Sequence, residues 1–160
     1  SPADKEYQVE ERVCIFPEHH LTERTIGAQT VSEVIERFQS EPTVGAVVSF
    51  AGVVRADQQT GGEVQAIEFT AQEAVAERAI RGLATRLAGD TPGNRVLIHV
   101  EHRLGRVPVG EAPIVIVVGA GHRKETFALC SGILETLKAE VPIYGKELLD
   151  SGGSSWKVNT

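Results

Sequence analysis

With 160 residues, 41% hydrophobic and 24% charged, the chain falls in the ordinary globular range: long enough for one well-buried core and short for two domains. Its formal net charge of −6 argues against nucleic acid as a main partner, because affinity for a phosphate backbone depends on Lys and Arg; no apolar run approaches the ~20 residues that span a bilayer. Cys14 and Cys130 are the only cysteines, too few and too far apart for a disulfide framework or a close metal motif, which fits a reducing cytoplasm.

Residues 1–6 are polar and read as a loose start; since the chain begins at Ser1 and holds no Met, a trimmed natural start is expected. Tyr7 to Phe16 carries enough β-formers for a strand, which Pro17 stops. Thr30 to Glu33 has the form of a capping box, and Val31, Val34, Ile35 and Phe38 then repeat at helical spacing before Pro42. Gly45 to Val54 is almost continuously apolar and β-branched, as in a strand buried on both faces, with Arg55 at its end.

Asp57 to Gly62 is a turn-rich connector, and Glu63 to Phe69 reads as the strand returning beside its predecessor. A second helix is predicted over Ala71 to Ala88, with Val75, Ala76, Ile80, Leu83 and Leu87 on one side. Two more strands follow, Val96 to Arg103 and Pro113 to Val118, separated by a Gly105 to Gly110 loop with room for a short β segment. The third helix runs over roughly Arg123 to Ala139, and residues 150–155 form a flexible tail before Trp156, an anchor. This order predicts one α+β domain over residues 1–160, a mostly antiparallel sheet with helices on one face.

The break at Gly119 to Gly121 hands an apolar strand over to a helix that opens with His122 and Arg123. Glycines let the backbone approach a ligand closely, and a helix start offers unpaired N–H groups and a positive dipole end. An imidazole and a guanidinium added there favour phosphate or carboxylate, although ordinary helix-start polarity explains the pair equally well.

Lys138 falls ~20° from Phe127 and ~40° from Leu134 around the helix axis, at the border of the apolar stripe. Partial desolvation there suits a lysine to proton transfer, oxyanion stabilisation or nucleophilic attack. The plainer reading is a stem that covers core while its ammonium reaches water. At ~1.5 Å per residue, His122-Arg123 and Lys138 are separated by ~24 Å along one helix. If all three serve one reaction, the second end comes from another chain, in a symmetric dimer with a shared site.

Arg55 is a further anion-binding candidate beside the Gly-rich loop, its plainer role being a surface salt bridge. Asp57 and Glu147 are candidate acid–base partners, though carboxylates beside loops are usually just solvated. His99 and His102 lie three apart on a strand and so face opposite sides, and neither they nor the cysteines make a metal motif. Gly61-Gly62 and Gly152-Gly153 are internal, unlike the terminal pair that a ubiquitin-like carrier needs.

One ordered set of motifs covers most of the chain from Gly45 onward: Gly45 to Arg55, His102 to Gly105, Val109 to Glu111, Gly121 to Arg123, Phe127, Leu137-Lys138, Pro142 to Tyr144, Lys146-Glu147 and Trp156. In this set the chain resembles the large, catalytic subunit of molybdopterin synthase. The resemblance implies a hammerhead-like α+β two-layer sandwich and a homodimer at the core of a heterotetramer. Each protomer would receive the C-terminal Gly-Gly tail of a small ubiquitin-like sulfur carrier. It implies a sulfurtransferase that works without metal or cofactor, passing sulfur from the carrier's thiocarboxylate to cyclic pyranopterin monophosphate, precursor Z, to build the molybdopterin dithiolene. By motif, Arg55, His122 and Arg123 would hold substrate and Lys138 would be catalytic.

Where the family usually has Trp-Lys-Lys/Arg-Glu, this chain has Tyr144, Gly145, Lys146 and Glu147, so the family's second lysine falls on Gly145. Lys146 is the candidate replacement, although one step along an extended segment reverses the side-chain direction. Ala56 stands where the family commonly has Asn, and Thr160 ends the chain where relatives often continue with a basic tail. These departures keep open a catalytically weakened relative that binds carrier or pterin phosphate as a scaffold, and a plain phosphometabolite-binding domain with no affinity for a Gly-Gly tail.

Overall fold

The computed structural model describes residues 11–157. In chain order they form β1 (Val13–Phe16), β2 (Leu21–Thr22), α1 (Ala28–Gln39), β3 (Ala46–Ala51), β4 (Gln58–Gln59), β5 (Gly62–Ala71), α2 (Glu73–Gly89), β6 (Val96–Arg103), β7 (Gly105–Pro108), β8 (Ile114–Ala120), α3 (Arg123–Glu140), β9 (Ile143–Leu149) and β10 (Ser154–Trp156). The α+β class predicted from the element order is the class observed. No helix among the described residues is long and apolar enough to cross a membrane. The expected loose start at 1–6 and the first part of the Tyr7 to Phe16 strand lie outside the described residues.

The strands divide into two sheets. The first has the order β1-β6-β8-β3, with β2 also on β6; β1 and β2 run parallel to β6, and the β6–β8 and β8–β3 pairs are antiparallel. Every residue of β6 and β8 is buried. Strand alternation sorts their side chains between two layers. Val96, Ile98, Val100, Ile114, Ile116 and Val118 face α2 and α3, meeting Ile80, Leu83, Leu129, Ile133 and Leu137. Leu97, Val115 and Val117 face the other way, against Val34 and Phe38 of α1. The helices therefore cover both faces of this sheet, α1 alone on its side. Phe38 is fully buried, and truncating it to Ala costs on the order of 3–5 kcal/mol.

The helices, expected on one face, cover both because strand alternation gives each face of the buried sheet its own apolar set, and four local expectations are also corrected. The helix starts at Ala28 behind Gly27, with no side-chain cap, so Thr30 and Glu33 lie inside it and form no capping box. β3 is an edge strand, paired with β8 on one edge and with no strand on the other among the described residues; its side chains reach the cores on both faces but stay half-buried or exposed, so its apolar run does not signify full burial. The strand after the connector does not return beside β3. β5 instead joins the second sheet, order β10-β9-β5-β4 with β7 also on β5, all antiparallel. Val75, expected on the buried side of α2, is 43% exposed.

The second sheet closes over its own small core of Val54, Val64, Ile67, Phe69, Val107 and Leu149. Much of the predicted tail belongs to it. Leu149 donates to the Gly153 carbonyl and Gly152 to that of Leu149, a turn that requires the positive φ of Gly152 and brings β10 back along β9. Trp156, expected as an anchor, is 63% exposed on this edge strand.

Candidate functional site: a cationic cleft and a separate helix-start hollow

Four pieces of chain meet where the two sheets adjoin. β3 leaves its sheet at Phe50 to Val53 and leads to Arg55; the last turns of α3 present Leu134, Leu137 and Lys138; β9 enters through Ile143 to Gly145; and β10 ends at Trp156 and Lys157. Together they enclose a cleft of about 730 Å³. α3 carries Lys138 there because Leu129, Ile133 and Leu137 are locked into the main core, which fixes the rotation of the helix. Phe127, used as a marker of the apolar stripe, is 63% exposed, so Leu134 and Leu137 are the neighbours that define the position of Lys138.

Arg55 is also at the cleft, with Nη2 3.4 Å from Asp57 Oδ2 in an exposed pair. The plainer reading of Arg55, a surface salt bridge, is the pair observed, at the mouth of the cleft. Lys157 is a third cation lining the cleft. As a residue it is exposed, yet burial of its ammonium is the first cause that lowers its pKa, followed by the charge of Lys138; Glu147 opposes the shift and Arg55 adds to it. Glu147 accepts a hydrogen bond from Gln59 Nε2 at 3.2 Å.

His102 lines the same cleft from β6. Its ring meets Phe69 edge-on with centroids 5.0 Å apart, and Nδ1–H donates to the Arg103 carbonyl at 2.8 Å. Burial pushes its pKa down to about 4, against the Arg103 hydrogen bond and with a smaller contribution from Lys157. At neutral pH it is an uncharged wall. His99 faces elsewhere, its Nε2 3.0 Å from Glu101 Oε1.

His122 and Arg123 sit at the other end of α3, in a hollow of about 500 Å³ lined with Gly45, Gly121, Lys124 and Glu125. His122 is the N-cap in extended backbone, its carbonyl accepting from the N–H of Thr126 at 3.1 Å and from the Thr126 hydroxyl at 2.6 Å. Gly45 makes the hollow possible: its N–H reaches the Ala120 carbonyl at 2.9 Å, and a Cβ there would run into the Gly121 carbonyl oxygen.

The structure therefore brings Arg55 and Lys138 together, and His122 with Arg123, but keeps the two groups apart within one chain. Lys146 is in neither: Gly145 and Lys157 line the cleft, and Lys146 does not. Lys157 escaped notice because it follows a segment that reads as a tail. The signal was a second extended stretch, Ser154 to Trp156, after a Ser-Gly-Gly turn, which marks a hairpin.

A guanidinium and two amines around one partly apolar cleft on an α+β scaffold are the chemistry of a small-molecule site suited to an anionic ligand. The family model described as MoaE protein matches residues 21–140. A molybdopterin synthase catalytic subunit of Nostoc is 38% identical over 125 residues, spanning 78% of this chain and 74% of that relative. Molybdopterin synthase from Staphylococcus aureus superposes with a TM-score of 0.77 at 25% identity, over 90% of this chain and 99% of that one. A Helicobacter pylori structure described as a complex of subunits 1 and 2 of molybdopterin-converting factor shares the fold at 18% identity, with a TM-score of 0.67 over 91% of this chain and 90% of that one. The chain belongs to the MoaE family.

Proposed function

We propose that this chain is the catalytic subunit of a molybdopterin synthase, moving sulfur from the C-terminal thiocarboxylate of a small ubiquitin-like carrier to cyclic pyranopterin monophosphate. The observation that carries the reading is the convergence of Arg55 and Lys138, from two distant elements, on one cleft. Arg55 offers a planar fork for the substrate's phosphate. Lys138 faces the carbonyl of the inserted tail. The thiocarboxylate sulfur attacks a side-chain carbon of the pterin as a C–O bond there breaks, its oxygen leaving as water or as the released arm of the cyclic phosphate. Water then adds to the acyl carbon, Lys138 stabilises the resulting oxyanion, and the acyl C–S bond breaks, leaving a thiolate sulfur on the pterin and a carboxylate on the carrier. Two such transfers make the dithiolene. Holding tail and pterin side by side supplies the remainder of the rate.

His122 and Arg123 join this reaction from a second protomer. The ~24 Å length of α3 between them and Lys138 separates the two hollows in one chain, and a symmetric dimer brings one protomer's helix start to its partner's cleft. Incubating the purified chain with thiocarboxylated carrier and precursor Z, and following dithiolene formation, tests the whole reading; we expect two thiocarboxylates consumed per product.

Gly145 favours a second reading, a scaffold that binds carrier or pterin phosphate without turnover, because that strand position carries no side chain in the cleft. Carrier binding with no dithiolene product would establish the scaffold and overturn sulfur transfer.

A further inference from the structure

We propose that Lys157 is the second amine of the cleft, standing across the β9–β10 ladder from Gly145 and acting with Lys138 on one anionic oxyacid group, the carboxyl-type end of the carrier tail or the substrate phosphate. This deepens the sulfur-transfer reading and rests on it for the identity of the ligands.

Register carries the argument. β10 runs antiparallel to β9 with Trp156 opposite Lys146, so the next pair outward is Lys157 opposite Gly145. The ladder extends that far: the N–H of Lys157 donates to the Gly145 carbonyl at 2.7 Å. Opposed residues of an antiparallel pair project from the same face of the sheet, with Cβ atoms ~5 Å apart. Lys157 therefore rises where a side chain at 145 would rise, and Lys146, one step along, projects from the opposite face.

The packing at Gly145 explains why the amine comes from the neighbouring strand. A Cβ on Gly145 would stand 3.0 Å from Ile67 Cγ2 and 3.1 Å from Phe69 Cε1, so a side chain there must press on the ring that supports His102. Lys157 reaches the cleft over the bare glycine without disturbing that wall. Its charge is felt at its surroundings from two directions: it acts on His102, and Lys138 and Arg55 act on it. Lys138 and Arg55 both disfavour the charge of Lys157 beside a neutral imidazole, Glu147 and Asp57 oppose them, and an entering anion offsets the repulsion among the cations. A ligand with two or more negative oxygens relieves that repulsion, and phosphate and acyl oxyanion are such groups.

The test measures binding and turnover separately on the wild type, Lys157→Ala, Lys157→Arg and Lys146→Ala. A peptide ending in Gly-Gly with a free carboxylate and inorganic phosphate are titrated in separate arms. We expect Lys157→Ala to weaken one of these probes by about tenfold, as loss of a charge-assisted hydrogen bond does; the probe affected identifies the source of the oxyanion. Lys157→Arg should recover most of that affinity, and Lys146→Ala should bind like the wild type. In single-turnover sulfur transfer, Lys157→Ala should be slowed about 100-fold, and a rate loss without a binding change would place Lys157 on the reacting oxygen. The backbone bond to Gly145 does not need the Lys157 side chain, so the fold survives the substitution.

Wild-type protein that binds a probe through Lys157 but makes no dithiolene would overturn sulfur transfer and leave this assignment standing. Active wild type with Lys157→Ala equal to it in both binding and rate, or no binding of either probe together with an unchanged rate, overturns the assignment alone.

Discussion

Arg103 donates from Nη1 to Glu111 Oε1 at 2.8 Å, tying the end of β6 to the loop that precedes β8. The consequence reaches Arg55: the Val54 N–H donates to the Glu111 carbonyl at 3.1 Å, and the Gly110 N–H to the Val54 carbonyl at 3.0 Å. The ion pair thus stiffens the loop that holds the residue just before Arg55. Arg103 is 7% exposed in its side chain and Glu111 39%.

Removing Glu111 leaves the buried guanidinium without its carboxylate. Glu111→Ala is expected to cost about 2 kcal/mol, less than a fully buried pair because water reaches the glutamate. KM should rise severalfold with kcat little changed, since Arg55 loses its support rather than its charge. Urea unfolding and steady-state kinetics check both, and the double variant Arg103→Met/Glu111→Ala should regain part of the stability. A Glu111→Ala enzyme with unchanged KM would separate the ion pair from the cleft.

Lys138→Ala should lose product formation by about 100-fold or more, the scale of a lost oxyanion donor, while the dimer persists by sedimentation. Arg123→Ala should be impaired as well. Mixing the two variants under conditions that exchange protomers is expected to restore about a quarter of wild-type activity, because half of the dimers are mixed and one of the two sites in each is intact. No recovery on mixing would place all of the site residues in one chain.

His102 makes stability depend on pH in a definite direction. Its folded pKa, about 4, lies below the ordinary 6.5, so between these values the unfolded chain takes up a proton that the folded chain refuses. This stabilisation is complete above about pH 6.5, declines as pH falls, and levels off below about pH 4, a loss of roughly 3 kcal/mol. His20, also lowered by burial first, contributes with the same sign. Urea midpoints at pH 7.5 and 4.5 measure the drop, and His102→Leu should make it shallower. Equal drops in variant and wild type would remove His102 as a cause.

Gly45→Ala introduces a Cβ that meets the Gly121 carbonyl oxygen, in the hollow of His122 and Arg123. Relief requires β3 and the start of α3 to separate, at about 1–3 kcal/mol by analogy with overpacked cores. Thermal unfolding should show a lower Tm, and KM should rise as the His122-Arg123 end shifts. Unchanged Tm and KM would mean that the turn absorbs the methyl group freely.

Amphipathic spacing was enough to place the helices, and short apolar, β-branched runs the strands β6 and β8, because both are local signals. It also put Lys138 near the apolar stripe and separated it from His122-Arg123, since helical rise is independent of context. Edge position is not local: β3 has the composition of an interior strand, and only its pairing with β8 alone reveals otherwise. Nor is partner choice, which sent β5 to the second sheet and made a hairpin of an apparent tail. Lys157 became a cleft residue through that hairpin, because which face a lysine shares is set by the strand hydrogen-bonded beside it, and the register across a hairpin leaves no periodic trace in either strand.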